Sequence, residues 1–182
     1  MIKNYILTTE RLGLRNWLPE DLNPFAEMCN DPEVMKHFPS TLSRKETQEL
    51  IQRLSDHYKD FGYTYFALDL LENNEFLGFA GIKYQTWEGP YTPCVDIGWR
   101  LKQNAWGNGY ATEAAKACLD AAFKTFHIKE VLSFTPDTNT ASENVMKKIG
   151  MEYIGNVQHP AIVNDPRFKH CVVYKIVKPM HL

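Results

Sequence analysis

The chain has 182 residues, of which 44% are hydrophobic and 23% charged, with a formal net charge of -2. That size fits one domain over residues 1–182, with a core that needs neither disulfide nor metal. The charge balance argues against a nucleic-acid partner, no stretch has the apolar length of a membrane span, and Met1-Ile2-Lys3-Asn4 does not begin a secretory leader.

The expected location is therefore the cytoplasm. Arg11-Leu12-Gly13-Leu14-Arg15 alternates polar and apolar residues, as a half-buried strand does. Pro19-Glu20-Asp21 reads as a helix start, with Leu22, Phe25, Ala26 and Met28 on the inner face. Asp31-Pro32-Glu33 begins a short helix carrying Val34, Met35 and Phe38, which Pro39 ends. Ser43-Arg44-Lys45-Glu46 has the capping-box pattern ahead of Leu50, Ile51, Leu54 and Tyr58, with Gly62 as the stop. Two aromatic and aliphatic runs, 63–71 and 76–84, flank Glu72-Asn73-Asn74-Glu75 and predict a hairpin. Gly78 and Gly81 make its second strand irregular.

After a loop at Glu88-Gly89-Pro90 comes a strand over 94–101. Ala111, Ala114, Ala115, Cys118, Leu119, Ala122, Phe123 and Phe126 then recur at helical spacing. A strand over 130–135 follows, and Thr140-Ala141-Ser142-Glu143 reads as a second capping box. It opens a helix with Val145, Met146 and Ile149 inside and Gly150 as its stop. The last strands lie around Tyr153 and over 170–177, joined by a loop that contains Pro160 and Pro166. Strand, helix and strand across 94–135 imply a parallel pair, because a crossover helix is how parallel neighbours are joined. Hairpins on either side add antiparallel neighbours, so the fold class is α+β, a mixed sheet with helices packed on it.

Gly107 and Gly109 stand where the 94–101 strand gives way to the long helix. Glycine lets the backbone turn with its N–H groups unscreened, and a helix start offers unpaired donors at a positive dipole end. Together they suit an anion, a phosphate or a diphosphate. A Rossmann fingerprint would need a small residue where Thr112 stands, and a P-loop would need Gly-Lys-Ser/Thr. Cys29, Cys94, Cys118 and Cys171 are scattered as isolated thiols, and the six histidines show no metal-binding spacing, so no metal is expected.

From Thr9 to Lys178 the chain resembles the Gcn5-related N-acetyltransferases (GNAT), in the branch that includes the ribosomal-protein N-acetyltransferases. The likeness is carried by Thr9-Glu10-Arg11-Leu12-Gly13-Leu14-Arg15, Asn30-Asp31-Pro32-Glu33-Val34 and Ile97-Gly98-Trp99-Arg100-Leu101. It is carried equally by Trp106-Gly107-Asn108-Gly109-Tyr110-Ala111-Thr112-Glu113-Ala114 and by the run from Asn139 through Ser142 to Met151. The resemblance implies a mostly antiparallel sheet that splays between two central parallel strands, helices on both faces, and acetyl-CoA (CoA) in the gap. By position, Asn104, Gly107 and Gly109 take the diphosphate motif, with Asn104 replacing the usual longer side chain. Main-chain donors are then expected at Gly107, Asn108, Gly109, Tyr110 and Ala111, with Thr112 nearby. Trp99, Arg100 and Leu101 would pair with the pantetheine arm like an added strand, and Asn139 would bond that arm from the other side.

Acetyl transfer requires a neutral amine, support for the acyl oxygen and a proton for the departing thiolate. A main-chain N–H within 97–99 is the expected oxygen donor. The resemblance makes Ser142 the candidate acid; the other reading is that it supports the helix start. Asp96 is the candidate base, although it could equally pair with Arg100 or another cation, and Glu33 and Asp165 cannot be ranked beside it. At about pH 7.4 an α-amine of pKa about 7.8 is roughly a quarter neutral, whereas a lysine amine near 10.4 is neutral in about one part in a thousand. The acceptor is thus a small-molecule amine or a protein N-terminus, the latter needing less help. Trp17, Phe38, Tyr63, Tyr65, Trp87 and Tyr91 are candidate pocket aromatics, and the 156–169 loop is a candidate lid or a plain connection. Two other functions remain at this point: a CoA-binding regulatory module, and a ping-pong acyltransferase using Cys171 beside His170. The assembly is expected to be a monomer or homodimer.

Overall fold

Ser43 and Glu46 exchange capping hydrogen bonds, with the Glu46 carboxylate accepting from the Ser43 main-chain N–H at 2.8 Å. The helix α3 (Arg44–Phe61) therefore starts where the capping box puts it, and Gly62, at φ +76°, ends it in the left-handed conformation that glycine tolerates. The computed structural model describes residues 3–160, 162, 165, 167, 168 and 170–178. Before α3 stand β1 (Leu7–Thr8), β2 (Leu12–Arg15), α1 (Leu22–Asn30) and α2 (Pro32–Met35). After it come β3 (Tyr65–Leu70), β4 (Glu75–Gln85), β5 (Cys94–Leu101), α4 (Tyr110–Lys124), β6 (Glu130–Pro136), α5 (Thr140–Lys148), β7 (Glu152–Val157) and β8 (Cys171–Val177).

One sheet of eight strands runs in the order β1-β2-β3-β4-β5-β6-β8-β7. Every neighbouring pair is antiparallel except β5 and β6, which are parallel and meet at a single pairing, Asp96 with Leu132. Beyond that point the two strands diverge and leave a gap in the middle of the sheet. Alternation along the strands sends residues to separate cores on the two faces of the sheet. Leu68, Ile82 and Ile97 pack with Ala114, Cys118 and Ala122 of α4, while Ala67, Phe76 and Phe79 pack with Phe25 of α1 and Leu54 of α3. Helices thus cover both faces, as the resemblance implies.

Two details depart from the sequence reading, and a third bears it out. All four residues of β2 are buried, Arg15 to 1% exposure, because Asp21 and Asp69 both ion-pair with its guanidinium. A buried ion pair satisfies what the alternation rule would have sent to solvent. The cap of α5 is Asn139 rather than Thr140: its side chain accepts from the Ser142 main-chain N–H. The irregularity expected of β4 is a bulge opposite Leu68 and Asp69, and Gly78 stands there at φ +141°, where a Cβ would lie 2.1 Å from the Arg100 main-chain oxygen.

Candidate active site

The strand β5 divides its residues between two tasks. Lys102 N–H donates to the Leu77 main-chain oxygen, so the even-numbered residues turn their main chains toward β4. The odd-numbered ones turn toward the gap: Ile97 O accepts from Ser133 Oγ at 3.0 Å, and Leu101 O accepts from the Trp106 indole at 2.9 Å. Trp99 is the residue beyond the last β5–β6 pairing whose N–H and C=O both face the opening. The expectation that Trp99, Arg100 and Leu101 act together is therefore refined. Trp99 and Leu101 present main chain to the gap, whereas Arg100 pairs with Phe79 of β4 and sends only its side chain into the cleft.

At the far end of β5 a tight turn leads into α4. Gly107 and Gly109 adopt φ +79° and +80°, and Gly109 caps α4 without any side chain. The first bond inside the helix runs from Glu113 N–H to Gly109 O, which leaves earlier N–H groups of that turn without helical partners. Arg11, from the hairpin of β1 and β2, braces this turn: Nη1 donates to Asn108 O at 3.1 Å, Nε donates to Glu113 at 2.8 Å, and the guanidinium lies 4.6 Å from the Tyr110 ring centre. By pairing with Glu113 it also offsets a negative charge one turn from where an anion would sit. Asn104 is exposed, and Asn108 folds its amide back onto the Ala105 and Trp106 carbonyls; neither lines the cleft.

The cleft has a volume of about 920 Å³, and its walls include Asp96, Trp99, Arg100, Leu101, Gly107, Gly109, Tyr110, Ala111, Thr112, Asn139 and Ser142. Turn donors, gap-facing main chain and both candidate proton carriers therefore belong to one space. The N–H donors, the dipole end and the open strand edge fit a diphosphate joined to an amide-bearing arm, which is the chemistry of coenzyme A.

Asp96 is 8% exposed, and its carboxylate is held from two sides. Tyr65 donates to Oδ1 at 2.6 Å and Gln85 donates to Oδ2 at 3.0 Å. Burial pushes the Asp96 pKa up to about 6, against the opposing pull of those two bonds. The Tyr65 phenol is raised well above its ordinary value, by burial first and the neighbouring carboxylate second, so it remains a donor. The ring lies over Gly98, where a Cβ would meet its hydroxyl at 3.2 Å. Asp96 has no bond to Arg100; the cation on its face is Lys83, paired with it across β4 and β5, whose charge adds a weaker pull to the direct hold of the phenol and the amide. Sequence reasoning ranked Tyr65 only among six aromatics and missed Gln85, since this carboxylate–phenol–amide set is assembled by register across β3, β4 and β5.

On the other wall, Asn139 Nδ2 donates to Ser142 Oγ at 3.1 Å. With that oxygen already accepting, the Ser142 hydroxyl hydrogen is left to point elsewhere. Cys171 is 2% exposed, is absent from the cleft wall, and burial pushes its thiol up to about 11, so it carries no thiolate at neutral pH. Within the 156–169 loop, residues 161, 163, 164, 166 and 169 lie outside the described residues. In the described part, Arg167 donates to Pro39 O at 2.9 Å, which ties the loop to the segment following α2.

Residues 11–152 match the acetyltransferase (GNAT) domain family, and the chain belongs to it. It is an acyltransferase, an N-acetyltransferase whose cosubstrate is acetyl-CoA. An uncharacterised Bacillus subtilis protein, YkkB, is 33% identical over 148 residues, 81% of this chain and 85% of its own length. The acetyltransferase from Agrobacterium tumefaciens superposes with a TM-score of 0.77 at 27% identity, covering 97% of this chain and 96% of that one. The ribosomal L7/L12 α-N-protein acetyltransferase RimL, solved in complex with coenzyme A, has the same fold at TM-score 0.77 and 16% identity, over 96% and 98% of the two chains. Among the described residues, no helix is long and apolar enough to cross a membrane.

Proposed function

We propose that this chain acetylates a primary amine by direct transfer in a ternary complex, with Asp96 as base and Ser142 as acid. The observation that carries this reading is the single cleft in which both groups stand on opposite sides of the β5–β6 gap. Acetyl-CoA supplies the acyl group as a thioester. The Gly107–Thr112 turn holds the diphosphate through its main-chain N–H groups, and Trp99 lends its C=O to the pantetheine arm. Asn139 keeps one amide hydrogen for the same arm. A gap-facing N–H within 97–99 donates to the acyl oxygen.

Asp96, ionised above pH about 6, takes a proton from the incoming ammonium, directly or through the Tyr65 hydroxyl. As the amine nitrogen bonds to the acyl carbon and the carbon–sulfur bond breaks, Ser142 Oγ–H gives its proton to the sulfur, the proton shed by the nitrogen restores the hydroxyl through water, and Asp96 releases its own to solvent. The base is matched better to an α-amine near 7.8 than to a lysine near 10.4, a mismatch of about 2 units against about 4. That supports a protein N-terminus or a small molecule with a weakly basic amine.

Thiol release from acetyl-CoA, followed across α-amine peptides, amino acids, polyamines and aminoglycosides, tests the reading. Turnover with at least one amine, with no acetyl-enzyme trapped when acetyl-CoA is supplied alone, is the expected result. Binding of CoA without any release would leave the regulatory module instead, and a trapped acetyl-cysteine would indicate ping-pong transfer.

A further inference from the structure

We propose that Arg100 forms a subsite for a negatively charged group of the acceptor, so that the amine acetylated here carries a carboxylate several bonds from its nitrogen. This rests on the transfer reading above and adds the acceptor's chemical class to it.

Two arginines of this sheet turn their guanidinium groups inward, Arg15 buried and Arg100 half-buried with its Nε out of solvent, and the chain treats them differently. Arg15 makes five side-chain bonds, four of them to the carboxylates of Asp21 and Asp69. Arg100 has no carboxylate partner among the described residues. Its guanidinium lies 3.9 Å from the Phe38 ring centre and 5.3 Å from that of Phe79, Nη1 reaches only Cys29 Sγ at 3.4 Å, and Nε is buried without a partner. A guanidinium keeps its charge in such surroundings, and a buried cation without a counter-ion is unfavourable. Stacking between two rings fixes the plane of the group while leaving an N–H edge for a ligand. Because Arg100 also lines the cleft, the missing counter-ion is one that arrives with a ligand.

The diphosphate is the wrong candidate. Arg100 projects from the face of β5 that carries Asp96 and Gly98 and packs beside α1, whereas α4, which the diphosphate turn opens, covers the opposite face. The position does suit the acceptor. Successive same-face residues of a strand are about 7 Å apart, so an amine beside Gly98 and an anion at Arg100 belong to one molecule of modest length. An α-carboxylate stands too close to its own amine to serve both places. The acidic side chain one residue into a peptide fits, as does the terminal carboxylate of a dipeptide, and both keep the weakly basic α-amine that suits Asp96. A polyamine or aminoglycoside would bring a second positive charge against Arg100.

The test uses acceptors in isosteric sets: N-terminal peptide amides with Asp, Asn or Lys in second place, and glycylglycine beside its own amide. For the full chain we expect kcat/KM to favour the acid over the amide by roughly tenfold to a hundredfold, the span of a charge-assisted hydrogen bond. Arg100→Gln should abolish that ratio through KM, Arg100→Lys should keep part of it, and calorimetry should find CoA affinity unaltered in both. A preference confined to the side-chain acid or to the dipeptide's terminal acid supports the subsite and names its source. Equal rates for acid and amide in the unaltered chain, or loss of CoA affinity in Arg100→Gln, would overturn the proposal even if the variant folds poorly or transfer itself proceeds. Should no amine be acetylated, the transfer reading fails, and calorimetric binding of the acid against the amide still decides the subsite.

Discussion

The turn at Gly107–Gly109 and the wall around Asp96 and Arg100 flank the same strand but are made of different material. The turn works through main chain: two left-handed glycines, an uncapped helix start and gap-facing groups of β5. The wall works through side chains drawn from β3, β4, β5, α1 and the segment after α2. A site made of backbone tolerates changes of side chain so long as φ and ψ hold, whereas a site made of side chains depends on every partner. The first should therefore fail through conformation and the second through protonation and charge.

The largest effect is expected at Ser142, on the far side of the gap. Ser142→Ala should lower turnover by roughly one to three orders of magnitude while CoA affinity stays near its original value; an unchanged rate would remove Ser142 from the chemistry. Next is the turn. Gly109→Asp forces a side chain into φ +80° and sets a carboxylate against phosphate, so CoA affinity by calorimetry should fall roughly a hundredfold. Gly107→Ala, where an added carbon meets nothing within 4 Å, isolates the conformational part and should cost less. Equal affinity in both variants would place the diphosphate elsewhere.

The wall has a pH signature. With Asp96 at about 6, kcat/KM should fall as pH drops through that value, and Tyr65→Phe should move the fall to higher pH by removing a bond that favours the carboxylate. An unshifted profile would mean that the phenol does not set the base. The same group carries a stability cost. Its folded pKa lies above the ordinary 3.8, so the folded state holds the proton more tightly and loses stability as pH rises from about 3.8 to about 6. Asp96→Asn should therefore be more stable than the original chain at pH 8 by on the order of 1–3 kcal/mol, and little different at pH 3, as read by urea unfolding. A less stable variant at pH 8 would contradict the burial that raises this group.

The smallest effect is expected at Arg11, which braces the turn from outside. Arg11→Met should weaken CoA binding roughly two- to fivefold with turnover at saturation preserved; no change in affinity would reduce Arg11 to a surface contact.

What could be read in advance follows the same division. The Ser43–Glu46 cap, the Gly62 stop, the β5 strand and the glycine turn depend on residues a few positions apart, and all stand where the sequence puts them. Asp96 was legible because it lies in the motif strand. Tyr65 was one aromatic among several, because its partner is 31 residues away and meets it only through the pairing of β3 with β4 and β4 with β5. Arg100 was read for its main chain, and alternation gave that task to its neighbours. The Asn139 cap was displaced by one residue, since Thr140 and Asn139 are both able to cap and only the chain's path out of β6 chooses between them.

By itself the sequence determined the class of fold, the parallel crossover and the anion-receiving turn, because periodicity, capping and glycine act through local backbone preference. Tertiary structure alone decided that β5 and β6 meet once and then part, that Asp96 is buried under Tyr65, and that Arg100 finds no acid among the described residues. Burial and long-range partners are set by register and packing between distant segments, and no local pattern encodes them.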